Sequence, residues 1–349
     1  MAEKVKNPSP LYMLNRRTFL TAFLGSALFP LLPACQRSQL KAETFIARAD
    51  HYQADLTSII LSGLRELQVR PEEIKGKKVL LKPNLVEPHQ GARQINTHPL
   101  VVRGAIEAFL KLGAARVIIG EGPGHIRDIQ MVLSEAGYLN VLNEDRIPFV
   151  DLNLDQHYSL PNRGGKTDLN KLFFPQTIQG VDWVVSLAKM KTHHLVGVTL
   201  SMKNLFGVMP GSFYGWPKNV LHHAGIEKAI FDINATLQPS LAIVDGIIGM
   251  EGDGPIMGSP KKAGVLVMGR NLTAVDATCS RIMGINPFKI AYLKMAGGRL
   301  GPIEEVDIRQ KGDPINLVRN NFSLIEKIPA HKGIRSLKGG QSIPVRGWG

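Results

Sequence analysis

Lys189, Lys191, His193, His194, Lys203 and Asn204 all fall within the single stretch Val181–Gly211, VDWVVSLAKMKTHHLVGVTLSMKNLFGVMPG. An apolar strand pattern runs directly into them. Charged side chains at the end of a buried strand are costly unless they are paired or in use. This concentration therefore reads as a site rather than as packing. Lysines can clamp phosphate or carboxylate groups, and an imidazole can move a proton near neutral pH. His193 and His194 are adjacent, so on a strand or turn they point different ways and at most one faces the site. The expected division of labour has His193 as acid or base with Lys191 and Asp245, while Lys189, Lys203 and Asn204 bind substrate charge.

Other strand exits carry the same signal. In open parallel sheets, ligands bind outside the carboxyl ends of the strands. One exit reads Lys82-Pro83-Asn84, and Lys82 and Asn84 join the substrate-binding set. A second reads Gly120-Glu121-Gly122-Pro123-Gly124-His125. There Gly122 and Gly124 let backbone approach an anion, with a helix N-terminus expected just beyond. The spacing fits neither the dinucleotide fingerprint nor the Walker A loop, and a plain tight turn is the competing reading. A third reads Asp245-Gly246, then Met250-Glu251-Gly252-Asp253-Gly254-Pro255. Glu251 and Asp253, with Glu121 assisting, form a candidate oxygen set for a divalent cation such as magnesium, although a solvated turn accounts for the same residues. His89, His98, His125, His222 and His223 also lie at predicted loops and exits, which makes metal or proton-transfer chemistry the class to test.

Positioning these residues requires a sheet. Short continuous apolar runs at 78–82, 116–120, 148–152, 183–187, 241–245 and 264–268 alternate with helical patterns at 100–112, 126–137, 222–237, 273–283 and 287–296. Buried strands between helices predict an α/β fold, a mostly parallel, doubly wound sheet with helices on both faces, in a single large domain. The domain is expected over 78–322. Residues 35–77 are assigned to a linker and first helix, 156–179 to a loop or insertion, and 323–349 to a basic flexible tail.

The N-terminus reads as an address. Asn15-Arg16-Arg17-Thr18-Phe19-Leu20-Thr21 resembles the twin-arginine export signal, and the apolar run from Phe19 to Leu32 is too short and broken to span a bilayer. Leu32-Pro33-Ala34-Cys35 resembles a lipobox, so residues 1–34 are expected to be removed and Cys35 lipidated. The expected location is the periplasmic face of a membrane, the outer one where the cell has two, with the twin-arginine machinery as a partner. Two cysteines, Cys35 and Cys279, exclude a disulfide framework and a self-contained four-cysteine iron–sulfur or zinc site. Of the formal charge of +13, residues 1–34 contribute +3 and the tail after Phe322 contributes +4, leaving +6 between them. That balance suits a small anionic ligand or an anionic lipid surface. Nucleic acid is excluded as a partner because no binding signature accompanies the charge.

Several motifs in order then carry a resemblance. Asn96-Thr97-His98-Pro99, Gly120-Glu121-Gly122-Pro123-Gly124, Lys189-x-Lys191-Thr192-His193-His194, Lys203-Asn204-Leu205-Phe206-Gly207, Asp245-Gly246, Gly252-Asp253-Gly254-Pro255-x-x-Gly258 and Ala274-Val275-Asp276-Ala277 resemble the bacterial and archaeal family called domain of unknown function 362. The resemblance covers about residues 78 to 310. Some members carry ferredoxin-like modules, whose cysteines this chain lacks. Membership implies no activity, so three functions stand: an exported enzyme on a small anion, with or without a metal; a ligand- or cofactor-binding module; and an electron-transfer partner with a bound chromophore.

Overall fold

The computed structural model describes residues 40–124 and 128–336. Arg16, Arg17, Cys35, His125 and the tail from 337 onward lie outside the described residues, and the export and lipidation expectations fall there. Twelve strands are formed among the described residues: β1 (Ala42–Arg48), β2 (Lys78–Pro83), β3 (Arg116–Glu121), β4 (Phe149–Asp151), β5 (His157–Pro161), β6 (Lys171–Pro175), β7 (Trp183–His193), β8 (Gly197–Thr199), β9 (Leu241–Glu251), β10 (Ser259–Lys261), β11 (Val265–Gly269) and β12 (Ile308–Gly312). The main sheet runs β12-β1-β11-β9-β7-β2-β3-β4, with β8 added to β7 and β10 to β9, and β5-β6 form a separate ribbon.

The five strands β9, β7, β2, β3 and β4 are mutually parallel, as the alternation of strands and helices predicts. β11 runs antiparallel to both β9 and β1, and β12 is parallel to β1. Side chains alternate between two apolar layers because the strand period is two residues. Val79, Leu81, Ile119, Val185, Leu187 and Ile243 enter one layer, beneath helices Leu56–Glu66 and Pro99–Lys111. Leu80, Ile118, Val184, Ala188 and Val244 enter the other, against helices Ile226–Leu237 and Leu272–Ile282. Helices thus cover both faces, and the fold is α/β and doubly wound.

Three local readings change. Residues 42–48, read as linker, form β1 inside the sheet, and its Phe45 and Ile46 are buried on opposite faces. Residues 157–161 and 171–175, read as loop, form the β5-β6 hairpin. The tail's first part is packed, with His331 buried in a short 3-10 turn at Pro329–His331. Within the helical pattern over 126–137 the described helix runs Ile129–Glu135, and the Asp128 side chain accepts the amides of Gln130 and Met131 at its start.

Both long central strands also run past their apolar patterns. β7 continues through Lys189 and Lys191 to His193, with every residue buried, and β9 continues through Asp245 to Glu251. Charged residues that close the sequence pattern are thus in the sheet itself. They can be so only because each finds partners.

Candidate functional site

A cleft of about 710 Å3 opens at the carboxyl ends of β2, β3 and β7. Lys82, Asn84, Glu121, Gly122, Gly124, Lys191, His193, Lys203, Asn204 and Asp253 line it, so ten of the predicted site residues converge. Lys189, Asp245 and Glu251 do not line it.

Lys189 and Asp245 face each other across β7 and β9 and form an ion pair of 2.8 Å with no solvent exposure. Tyr52 Oη donates to Asp245 at 3.2 Å, and Lys189 Nζ donates to Tyr52 Oη at 2.9 Å. The amides of His98 and Ile247 also donate to the Asp245 carboxylate, at 3.0 and 3.2 Å. His98 stacks on Tyr52 at 3.6 Å and caps the helix that opens with Pro99. Burial holds its imidazole down to about 4, in the neutral form. This group locks sheet to helix. Lys189 and Asp245, expected to bind substrate charge and to assist catalysis, therefore sit in this buried network and outside the cleft lining.

The predicted metal carboxylates are also engaged separately. Glu121 accepts from Lys82 Nζ at 2.7 Å and from the amides of Leu85 and Gly122, both at 2.8 Å. Glu251 accepts from the Ser323 amide at 2.9 Å and pairs with Lys261. Asp253 lies 3.8 Å from His194 at the exposed rim. Among the described residues, no three His, Cys, Asp or Glu side chains converge as a metal would require. The Gly252–Pro255 loop instead docks by its backbone. Gly254 O accepts from the His194 amide at 2.9 Å, and a Cβ on Gly254 would collide with Thr192 O.

Counting amine protons separates the cleft lysines. An ammonium has three donors. Lys82 Nζ uses all three, on Glu121, Pro83 O and Asn204 Oδ1. Lys191 uses two, on Ile95 O at 2.9 Å and Pro255 O at 3.2 Å. Lys218, which sequence reading missed, uses two, on Gly122 O at 3.1 Å and Asn153 Oδ1 at 2.6 Å. Lys203 has no hydrogen-bond or ion-pair partner among the described residues and sits 4.5 Å from the Phe206 ring centroid. Gly122 has likewise spent its amide, on Glu121 Oε1 and Gly207 O.

Burial and crowding depress these amines. Burial, reinforced by the charges of Lys189, Lys203 and Lys82, holds Lys191 well below the usual lysine range. Burial and the Lys82 charge bring Lys203 to about 8, against the opposing pull of Glu121. Burial brings Lys218 to about 7. Lys218 holds its position at φ 69°, a left-handed conformation rare for a non-glycine residue. Sequence offered little warning of it, because Trp216-Pro217-Lys218 has no chemical signature.

Of the three histidines that line the cleft, His193 and His222 are neutral and of opposite tautomer. Burial, then the Lys203 charge, depress His193 well below its usual range, and burial also lowers His222. The Leu195 amide donates to His193 Nδ1 at 3.0 Å, which leaves the proton on Nε2. His222 Nδ1 lies 3.1 Å from Lys218 O, which can only accept, so its Nε2 carries the lone pair. One ring can thus donate and the other accept. Asn84 Oδ1 and Thr199 Oγ1, from two more lining residues, are buried with no hydrogen-bond partner.

The remaining motif residues hold this arrangement. Asp276 accepts from the amides of Ser201 at 2.8 Å and Met202 at 3.1 Å, and from Ser201 Oγ, at the start of the short helix Ser201–Asn204. Burial raises it to about 7, although these hydrogen bonds oppose the rise. It thereby fixes the turn that presents Lys203 and Asn204. Thr97 Oγ1 donates to Leu187 O and accepts the Asn84 amide, tying two strand exits together. Gly207 packs against the buried ion pair, where a Cβ would come 2.7 Å from Lys82 Nζ.

Comparison with known proteins agrees with the motif order. The chain is 30% identical, over 263 residues, to a thylakoid-associated protein of Synechocystis sp. (strain ATCC 27184 / PCC 6803 / Kazusa), covering 72% of this chain and 77% of that one. A solved protein of Thermotoga maritima is similar at a TM-score of 0.39 and 15% identity, covering 71% of this chain and 59% of that one, a likeness too distant to bear on fold or function. A family model matches residues 79–281, the span that contains the cleft-lining motifs up to Asp276, and the chain belongs to that family, described as Domain of unknown function (DUF362).

Proposed function

We propose that the strand-end cleft binds a small anion and performs acid–base chemistry on it. The donor count around the cleft carries this reading. Lys203 has three unfilled donor positions when protonated, Lys191 and Lys218 have one each, and His193 offers Nε2–H. Among the described residues the only buried carboxylate lining the cleft, Glu121, is neutralised by Lys82. Such a surplus of desolvated donors is complementary to phosphate, sulfate or carboxylate oxygens. His193 as donor and His222 as acceptor then provide a route for a proton.

We place this activity outside the cytoplasm, on a protein held at a membrane through Cys35. Support comes from the twin-arginine-like and lipobox-like residues and from the printed description of the cyanobacterial relative as thylakoid-associated. Among the described residues no helix is long and apolar enough to cross a membrane, so attachment would rest on the N-terminal segment. Intact-mass analysis of protein taken from its own host tests the anchor: an unprocessed, unacylated chain overturns it. Calorimetric titration with sodium sulfate at constant ionic strength tests the cleft. Saturable binding lost in Lys203→Gln is expected, whereas the same weak response in both proteins would refute anion binding at this site.

A further inference from the structure

We infer that Lys203 is a nucleophile, which condenses with the carbonyl group of a small anionic aldehyde or ketone to form an imine. This rests on the anion-binding reading and sharpens it into a substrate class. A nucleophilic amine needs a nitrogen that no acceptor holds in place, whereas Lys191 is pinned by two carbonyls and Lys218 by a carbonyl and an amide oxygen. Lys203 has none among the described residues. Its nearest charged neighbour of consequence is the ammonium of Lys82, whose partner Glu121 is already committed. The Phe206 ring at 4.5 Å is its one favourable contact with the charged form, and such a contact contributes only about 0.5–2 kcal/mol.

The consequence is an amine that loses its proton at about 8, so that a usable fraction carries a free lone pair near neutral pH. Desolvation beside a second cation is a recognised way of activating a lysine nucleophile. Lys191 and Lys218 retain one free donor each for the substrate's carboxylate or phosphate. The step balances without a further reagent. The Lys203 Nζ lone pair attacks the carbonyl carbon, a C–N bond forms, and the carbonyl oxygen takes a proton to give a carbinolamine. Nζ gives up one proton as the carbinolamine forms and its second as the C–O bond breaks, so the two protons lost from nitrogen replace the two gained by the oxygen, which leaves as water as neutral C=N forms. His193 Nε2–H is placed to supply a proton to that oxygen and His222 Nε2 to accept one from nitrogen. Both rings line the same cleft, and both feel the Lys203 charge.

Reductive trapping tests the inference. The full chain is incubated with pyruvate, and separately with glyoxylate, in the presence of cyanoborohydride, then digested and mapped by mass spectrometry. Expected is a hydride-dependent addition at Lys203, equal in mass to the probe less one oxygen atom. It should exceed that at any surface lysine at least about tenfold, be suppressed by sulfate and be absent in Lys203→Arg. Sulfate binding retained with no preferential adduct at Lys203 overturns the imine while leaving the anion site intact. Loss of both sulfate binding and adduct overturns the two together. An adduct that sulfate does not suppress shows a reactive amine outside an anion site, and also refutes the proposal.

Discussion

The sharpest consequence of the cleft chemistry is a pH dependence of anion affinity to which Lys203 should contribute a separable part. Sulfate is the appropriate probe because its own charge is constant across the range. It favours the ammonium form, so its affinity must fall as the free protein loses protons. With Lys203 at about 8, one proton is lost between about pH 6.5 and about pH 9.5, and the fraction charged drops roughly thirtyfold, equivalent to about 2 kcal/mol. Lys218, at about 7, adds a component of the same sign. Lys203→Gln should remove the thirtyfold part, lower the affinity at about pH 6.5, and leave the dependence due to Lys218. Calorimetry in two buffers of different ionisation enthalpy reads the same event as proton uptake on binding, which should rise as pH passes the two amine values. The salt concentration must be fixed, since chloride screens and competes. An affinity that is flat over the range, or a pH profile identical in Lys203→Gln, refutes the reasoning.

Three further outcomes follow from the same geometry. Lys189→Met leaves Asp245 buried without its cation and should cost about 3–5 kcal/mol of stability by chemical denaturation, yet sulfate affinity of the folded protein should not fall, since Lys189 does not line the cleft and its charge opposes that of Lys191; a large loss of affinity with stability intact would reverse this placement. Asp276→Ala removes the acceptor for the Ser201 and Met202 amides, and should cost about 2–4 kcal/mol and weaken sulfate binding, whereas a substitution that only destabilises would show Asp276 not to position Lys203. The folded-state values of Lys203 and Lys218 lie below the ordinary lysine value of 10.5, so between about 7 and 10.5 the unfolded chain binds more protons and these two groups make the ligand-free protein more stable as pH rises; their contribution, isolated as the difference from a Lys203→Gln, Lys218→Gln variant in denaturant melts, should have that sign.

How much of this was legible in the sequence depends on which force set each residue. The parallel core was legible because β2, β3, β7 and β9 are continuous apolar runs, a pattern that burial on both faces imposes. β1 was not, because a seven-residue strand with Glu43 and Arg48 at its ends carries too little periodicity to distinguish it from linker. The exits named a common neighbourhood, and ten of the expected residues do meet there. What sequence could not assign was the partner of each charge. Lys189 and Lys191 are two residues apart and look equivalent, but a register shift in the β7–β9 pairing separates them. Lys189 then lies opposite Asp245, while Lys191 reaches the backbone oxygens of Ile95 and Pro255.

The same argument separates the acidic residues from the basic ones. Glu121 and Glu251 close strands and Asp245 lies within β9, and each accepts from nearby amides. A carboxylate accepts several hydrogen bonds at once, so one acidic side chain can quench a whole cluster. An ammonium is harder to satisfy in a buried site, because it needs three acceptors arranged around one nitrogen. Lys82 obtains three; Lys191 and Lys218 obtain two; Lys203, two elements further on and held by Asp276 rather than by its own amine, obtains none. The residual function of the cleft is therefore expected to lie with the base-bearing side chains, and with Lys203 before the others.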